Sequence, residues 1–516
     1  MTAAVIGLGA AGLAALKNLK EQGFDVIGFD RNAYIGGLWK YAPGDRTSVL
    51  NTTVVNISKE RGCFTDFPYS DDVPSYPTAA QVHQYLLNYA AQFNLEPHFR
   101  LNVAIQHITF DSVLQKWVVK INGDKDQSFD KVVIAVGGMV GQPTTPSISG
   151  LETFRGTSLH VQSFKRPSDF SGQRVMVVGF GNSAADTCTQ LVGIASKIYL
   201  AHRHGARIIP RMHNGKPIDH NHNLRLFTLS SLVMKYFPHF GERQFDLFIK
   251  SFQDKNFVVK PEWGFEPAQR VPMVSDTLVH HLHAGDIESV PGLRRILDGT
   301  NTVQLDNERL MDLDTIIWCT GYTSDFSVLD PLYDPSTPPS AAWARAKGSN
   351  GKNLFNLYLN VFSAVKPESL AFMGNVYTTL SGFQIFDMAA MAIAQVFKGN
   401  SRLPPRSQIH GEIEAHHLWL AELASRGHNV SPGNVEGGPW MARMNELAGT
   451  GVDDYLGYGG KGWWFWIRNF RLSNLLMGGI WSPCMYRLFE TGKRKAWSGA
   501  REAVEKANSV QKTKTA

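Results

Sequence analysis

Only four cysteines occur among 516 residues, Cys63, Cys188, Cys319 and Cys484, and no two form a CxxC pair. That argues against a disulfide scaffold, a zinc knuckle or a dithiol redox centre, and it fits a reducing compartment. No run of 18 or more uncharged apolar residues is present, so no membrane-spanning helix is expected. The formal net charge of +6 is small for this length and the basic residues form no block, so nucleic acid is not expected as a partner. Ala3–Ile6 lead straight into a glycine motif with no basic leader before them, unlike a secretion signal, and a cytoplasmic protein is expected. Histidines gather at His202, His204 and His213, and again at His280, His281 and His283. No cysteine or carboxylate joins either group at a recognised ligand spacing, so no metal is expected.

What is present is an ordinary globular composition, 43% hydrophobic and 19% charged, carrying an internal repeat. VIGLGAAG at Val5–Gly12 returns as VVGFGNSA at Val177–Ala184, 172 residues further on. Each copy runs from apolar β-formers through G-x-G-x-x-G or G-x-G-x-x-A into a helix-compatible stretch, the order of a dinucleotide-binding βαβ unit. Two such motifs in register predict two like modules. Between them, Thr78 can cap a helix whose apolar residues Val82, Tyr85, Leu86, Tyr89 and Phe93 share a face. Trp117–Ile121 and Lys131–Val136 read as strands, and Gln142–Gly150 reads as a linker. From about Arg211 to Gln269 aromatic and basic helical segments, Leu224–Tyr236 and Phe245–Phe252 among them, interrupt the second module. That module closes with a strand over Thr315–Thr320, after which the chain returns to the first through Leu357–Phe397.

In the first motif, Gly7, Gly9 and Gly12 permit a tight turn, close backbone approach to a pyrophosphate and close helix packing, while the helix N-terminus supplies amide donors. Asp30, at the end of the next apolar run, is placed to accept hydrogen bonds from ribose hydroxyls. The corresponding position of the second module is His202, followed by Arg203 and His204. A carboxylate would repel a 2′-phosphate and a guanidinium can bind one, so FAD is expected in the first module and NADPH, rather than NADH, in the second.

FRGTSLHVQSF, Phe154–Phe164, fits the F-x-G-x-x-x-H-x-x-x-F/Y fingerprint, and on it the chain resembles the flavin-containing monooxygenases. IGGLW at Ile35–Trp39, NISKE at Asn56–Glu60, DFPY at Asp66–Tyr69, CTGY at Cys319–Tyr322 and WSGAREA at Trp497–Ala503 extend the resemblance along nearly the whole chain. Departures are Asp30 where many members carry Glu, Gly137–Gly138 where many carry Gly-His, and no hydrophobic tail after Ala503 of the kind that anchors animal members.

The resemblance implies hydride transfer from NADPH to FAD, then addition of dioxygen at flavin C4a to give a hydroperoxide that oxygenates a small organic substrate. A soft nitrogen or sulfur nucleophile is the expected substrate. It assigns FAD to Gly7, Leu8, Gly9, Ala10, Ala11, Gly12, Asp30, Gly37, Leu38, Trp39, Asn56 and Ile57. NADP falls to Val55, Asn56, Gly179, Gly181, Asn182, Ser183, Ala184, Asp186 and Arg203. Asn56 matches the family's active-site asparagine, whose neutral amide can donate without opening a proton path. Phe154, Gly156, His160 and Phe164 mark the junction between modules, with His160 expected to hold the linker by hydrogen bonds rather than to act as an acid or base.

The expected fold is α/β, two three-layer Rossmann-like domains with the NADP domain inserted into the FAD domain. The FAD domain is read as 1–150 and 315–450, the NADP domain as 151–314 with a helical insertion at about 211–269, and 451–516 as a C-terminal aromatic and basic cap. Within the cap, Trp463–Trp481 reads as a packed cover over the substrate entrance, with peripheral contact at an intracellular membrane as the alternative. Rival functions are Baeyer-Villiger oxygenation of a ketone, a disulfide reductase-like flavoprotein lacking its thiol pair, and a non-catalytic nucleotide-binding protein.

Overall fold

The computed structural model describes residues 1–44, 46–265, 272–349, 351–427 and 429–509. Residues 266–269, the end of the expected insertion, and 510–516, the end of the expected cap, lie outside them.

β1, Thr2–Ile6, is an apolar strand with its last four residues buried. Gly7, at φ +97°, turns the chain into α1, Ala10–Glu21, where Ala14 and Ala15 are small enough for the helix to lie close on the sheet. β2, Asp25–Phe29, runs parallel to β1 with Val5 opposite Gly28. Thr78 caps α2, Ala79–Gln92, through a full capping box with Gln81, and Val82, Tyr85, Leu86 and Tyr89 are buried along one face. β3, Phe99–Arg100, and β4, Lys131–Ile134, complete this part of the sheet. The strand read over Lys131–Val136 thus ends two residues early, where the Ala135 carbonyl occupies the place of a Gly7 Cβ, 2.4 Å away. Lys116–Ile121 is a strand, but it pairs with Ile105–Asp111 and Gln127–Phe129 in a separate antiparallel sheet.

A second sheet follows: β5, Thr157–His160; β6, Arg174–Val178; then α3, Asn182–Leu191; β7, Lys197–His202; the helical pair α4, Leu224–Tyr236, and α5, Pro238–Asn256; β8, Ile287–Pro291; and β9, Thr315–Trp318. Its order is β8-β7-β6-β9-β5, parallel throughout. All four residues of β9 are buried, as befits a strand with neighbours on both sides. The boundary read at 314/315 therefore cuts through this sheet, and the second unit runs at least to Trp318.

β10, Leu357–Tyr358, β11, Phe362–Ser363, and β12, Leu370–Phe372, then extend the first sheet to the order β10-β11-β12-β4-β1-β2-β3. The result is two dinucleotide-binding units, the second inserted into the first. In each, the strand order reverses beside the strand that carries the glycine turn, which stands at that strand's carboxyl end, where dinucleotides bind in such sheets.

α6, Gly382–Lys398, packs on α1 and buries 14 of its 17 residues, the mark of an interior helix. Its Asp387 is fully buried and accepts from Asn18 Nδ2 at 2.6 Å and Thr65 N at 2.8 Å. Arg487, 2% exposed, joins them: it donates to Glu21 at 2.8 Å, to Asn18 Oδ1 at 2.8 Å and to Thr65 Oγ1 at 2.9 Å, and lies 3.2 Å from Asp66. Lys17 pairs with Glu21 and Asp66. Burial alone would pull the Arg487 guanidinium down, but Asp66, Glu21 and Asp387 hold it well above its usual range. The cluster locks the helix after the first glycine turn to the C-terminal segment.

The expected packed cap divides in two. α7, Gly460–Arg468, buries only Gly462 and leaves Trp463, Trp464 and Ile467 more than half exposed. α8, Phe470–Gly478, buries Leu476 and Met477, and Trp481 beyond it is 1% exposed against Phe227 and His222. The tryptophan-rich half is therefore not packed as expected. α4, which packs on α8, likewise exposes Leu226, Leu229 and Leu232.

Candidate functional site

The first glycine turn and the IGGLW segment meet. Gly36 N donates to Leu8 O at 2.8 Å, and a Cβ on Gly9 would stand 3.6 Å from Gly37 Cα. Gly9 caps α1 with no side chain, so the helix amides open onto a cradle that any side chain there would fill. A Cβ on Gly12 would fall 1.8 Å from the Gly7 carbonyl oxygen, so its role is helix packing. Asp30, 7% exposed, accepts from Leu8 N and Asn32 N, both at 2.8 Å, which fixes its carboxylate beside the turn with lone pairs to spare for hydroxyls. Trp39 stacks on Phe383 of α6. Beyond β12, Asn375 is 1% exposed and neither of its amide atoms has a partner among the described residues. A buried amide without a partner among the described residues is costly, and its place just past the carboxyl end of β12 suits a polar ligand. Sequence reading missed it, because an asparagine after a short strand carries no signal of its own. These residues fit a flavin dinucleotide.

The second turn is looser. Gly179, at φ +131°, approaches the Cys319 carbonyl, whereas a Cβ on Gly181 would meet nothing within 4 Å. Ala184, 1% exposed, stands where the first motif needs Gly12. Asn182 and Ser183 are exposed at the start of α3, with Asn182 Oδ1 accepting from Val274 N at 3.0 Å. Arg203 follows β7, exposed, with no hydrogen-bond or ion-pair partner among the described residues. His202 is buried against Phe180 and Phe265 and bonds Ser289 Oγ at 2.9 Å, and burial pushes its imidazole down to about 4. Burial pushes the Asp186 carboxyl up to about 6, against the pull of Arg211. An open turn with a free guanidinium at the next strand end fits a phosphorylated nicotinamide dinucleotide.

At the junction, His160 accepts from Gln162 N through Nδ1 at 3.2 Å and donates from Nε2 to Gly321 O at 3.0 Å. Burial lowers its pKa, so both bonds are those of a neutral imidazole. Phe164 is 1% exposed against Phe170, and Gly156 leaves room for the Asp314 carbonyl.

Asn56, with Val55 and Ile57, lies on a loop where the two units meet, and the first residues of the insertion hold that loop. Arg211 donates from Nη2 to Asn56 Oδ1 at 2.8 Å and to Val54 O at 3.1 Å, from Nε to Val55 O at 2.9 Å, and from Nη1 to Asp276 at 2.8 Å. Tyr76 OH donates to Arg211 O at 2.6 Å, and Asp219 accepts from Ser58 N at 2.8 Å. Glu60 and His220, both buried, pair at 3.1 Å. Arg61 donates to His222 Nδ1 at 2.9 Å; burial and that positive neighbour push His222 down to about 3, which keeps the nitrogen an acceptor. Arg211 was read from sequence only as the start of an insertion, since nothing local links it to a loop 155 residues away.

The family model described as flavin-binding monooxygenase-like matches residues 1–515. The monooxygenase aurF of Gibberella zeae is 41% identical over 512 residues, covering 98% of this chain and 96% of that relative. Flavin-containing monooxygenase 5 of Mus musculus is 29% identical, covering 97% and 90%. Among solved structures, the S-allyl-L-cysteine S-oxygenase of Allium sativum superposes with a TM-score of 0.62 at 19% identity, over 87% of this chain and 88% of that one. Closed cyclohexanone monooxygenase gives 0.60 at 17% identity, over 87% and 98%.

Proposed function

The chain belongs to the flavin-binding monooxygenase-like family, and on that premise we propose that it oxygenates a small organic substrate bearing a soft nitrogen or sulfur nucleophile, with Asn56 as the catalytic amide. It is an FAD- and NADPH-dependent monooxygenase. When bound, NADPH supplies hydride and FAD the capacity to activate dioxygen at C4a. The protein orients both, excludes water and offers a donor that carries no acidic proton. Gly7 to Gly12 with Asp30, Gly37 to Trp39 and Ile57 would hold FAD; Val55, Gly179 to Ala184, Asp186 and Arg203 would hold NADP, with Asn56 touching both.

The observation that carries this reading is the bonding of Asn56. Arg211 can only donate, so the amide oxygen must face it, and Nδ2, which has no protein partner among the described residues, remains to donate into the cleft. The same contacts favour a soft nucleophile over a ketone. Four donor bonds of Arg211 are already committed, which leaves little of its guanidinium to offset the negative charge that ketone oxygenation develops. NADPH oxidation in air, scored by product mass over a panel of amines, sulfides and ketones, tests the reading. Ketone-derived esters as the sole products would overturn the preference.

Arg203→Ala is expected to cut the preference for NADPH over NADH roughly tenfold or more, through loss of charge-assisted bonds to the 2′-phosphate, while the NADH rate changes little. Equal losses with both cofactors would make Arg203 structural.

A second reading concerns the exposed aromatic helices, for which we infer contact with an anionic membrane surface. Among the described residues no helix is long and apolar enough to cross a membrane. Yet Trp463, Trp464, Ile467 and Phe470 are exposed, and so are Leu226, Leu229 and Leu232 of α4, which packs on α8. Lys461, Arg468 and Arg471 lie among them, and no acidic residue occurs from Gly460 to Gly478. The Arg468 guanidinium sits over the Trp464 ring at 4.2 Å. Trp and Arg together suit an interface of hydrocarbon and headgroup. Flotation with phosphatidylserine vesicles should carry the protein in a salt-sensitive manner, with Trp463→Glu plus Ile467→Glu reducing binding at least about tenfold. Binding that is absent, or unchanged in the double variant, would remove the membrane from the reading.

A further inference from the structure

We propose that Arg211 is the positioning residue of the oxygenation site: its guanidinium fork sets the plane and the sense of the Asn56 amide and ties the 54–56 loop to the second unit. The proposal rests on the reading of Asn56 above. An asparagine amide on a loop has two nearly isosteric orientations, one presenting a donor and the other an acceptor. Only a partner restricted to one hydrogen-bonding role selects between them. Arg211 is such a partner, since every polar hydrogen of a guanidinium donates and none of its nitrogens accepts. With Oδ1 bound to Nη2 at 2.8 Å, a flipped amide would set two donors against each other.

The arginine is itself held in place. Its side chain is 12% exposed, Asp276 takes both its backbone amide and Nη1 at 2.8 Å, and Tyr76 holds its carbonyl. The Val54 and Val55 carbonyls occupy the other edge of the fork, so the loop cannot rotate about Asn56 without losing three bonds at once. Asp276 belongs to the second unit and Val54–Asn56 to the first, so the same fork spans the seam that has to bring nicotinamide to flavin. A lysine can keep the charge and one or two of these bonds but cannot match the planar fork.

The test is a double-mutant cycle on purified, FAD-loaded protein, combining Arg211→Met with Asn56→Ala. Two quantities are read: the dissociation constant of NADP⁺, from perturbation of the flavin absorbance, and the ratio of oxygenated product to NADPH consumed. Arg211→Met alone should weaken NADP⁺ about tenfold and lower the product ratio at least fivefold. In the Asn56→Ala background the same substitution should change the product ratio less than twofold, because the amide it orients is gone. Arg211→Lys should fall between wild type and Arg211→Met on both readouts. An additive cycle, or a lysine variant equal to wild type, overturns the proposal. If Asn56→Ala alone leaves the product ratio intact, the reading of Asn56 fails first, which is a distinguishable result. Should Arg211→Met not retain FAD, Arg211→Gln, which is shorter but still polar, carries the same comparison.

Discussion

Asn56→Asp is expected to leave FAD binding and flavin reduction by NADPH within a few-fold of wild type while oxygenated product falls about 100-fold and hydrogen peroxide release rises. The magnitude is that of losing one preorganised donor at a site of developing charge. The substitution nearly preserves size, and the structure gives it a specific fate. The new carboxylate meets Arg211, already 2.8 Å from the present amide oxygen, so the loop should stay anchored by an ion pair. What is lost is the opposite arm: a second acceptor oxygen replaces the Nδ2 donor and repels an electron-rich oxygen placed before it. Stopped-flow reduction without oxygen, set beside product formed per NADPH consumed in air, separates the half-reactions. A variant that retains its coupling ratio would return Asn56 to the status of a loop residue.

Arg487→Ala is expected to destabilise the FAD unit by about 3–5 kcal/mol, the cost of leaving buried carboxylates without their cation. If the chain melts as one unit, that corresponds to a fall of about 4 °C, and more if the FAD unit melts separately. The acceptors left behind are Glu21, Asn18, Thr65 and Asp66, with Asp387 at 4.0 Å. Lys17 can still neutralise Glu21 and Asp66, but it cannot replace the bonds to Asn18 and Thr65. Since Asn18 and Glu21 lie on α1, whose first turn faces the FAD cradle, retained flavin should decline with stability and recover in excess FAD. Melting curves with and without added FAD provide the measurement. An unchanged melting temperature would show that the cluster rearranges without cost.

Much of the site could be read locally. The paired glycine turns, Asp30 at the end of β2, Arg203 after β7 and Thr78 as a helix cap are each written in a few contiguous residues, because turn geometry and capping depend on φ angles and donors within one or two turns of chain. The aromatic run at 463–481 was misread for the complementary reason. Composition shows that such side chains prefer burial, but not whether a surface exists to bury them. α8 found one at Phe227 and His222 through Trp481, while α7 did not. The strand over Thr315–Trp318 was legible as the close of the second unit, so the domain edge at 314/315 falls one strand too early, and the pairing of Thr315 with Val175 and Thr157 places that strand in the second sheet.

The sequence by itself determined the family, through the resemblance carried by Phe154–Phe164 and the other matching motifs, and the two nucleotide-binding modules, the nested order of their chain segments and the kinds of cofactor they take, because these follow from short-range periodicity, glycine spacing and one charged position. The tertiary structure alone decided that Arg211 holds Asn56, that Arg487 closes a buried cluster with Glu21 and Asp66, and that Cys63 and Cys484, far apart along the chain, meet as two buried free thiols. It also decided that the tryptophans of α7 face outward. These pairings join residues more than 150 positions apart; a side chain's partner across such a distance is selected by packing of whole elements, and the chain on either side of it carries no record of that choice.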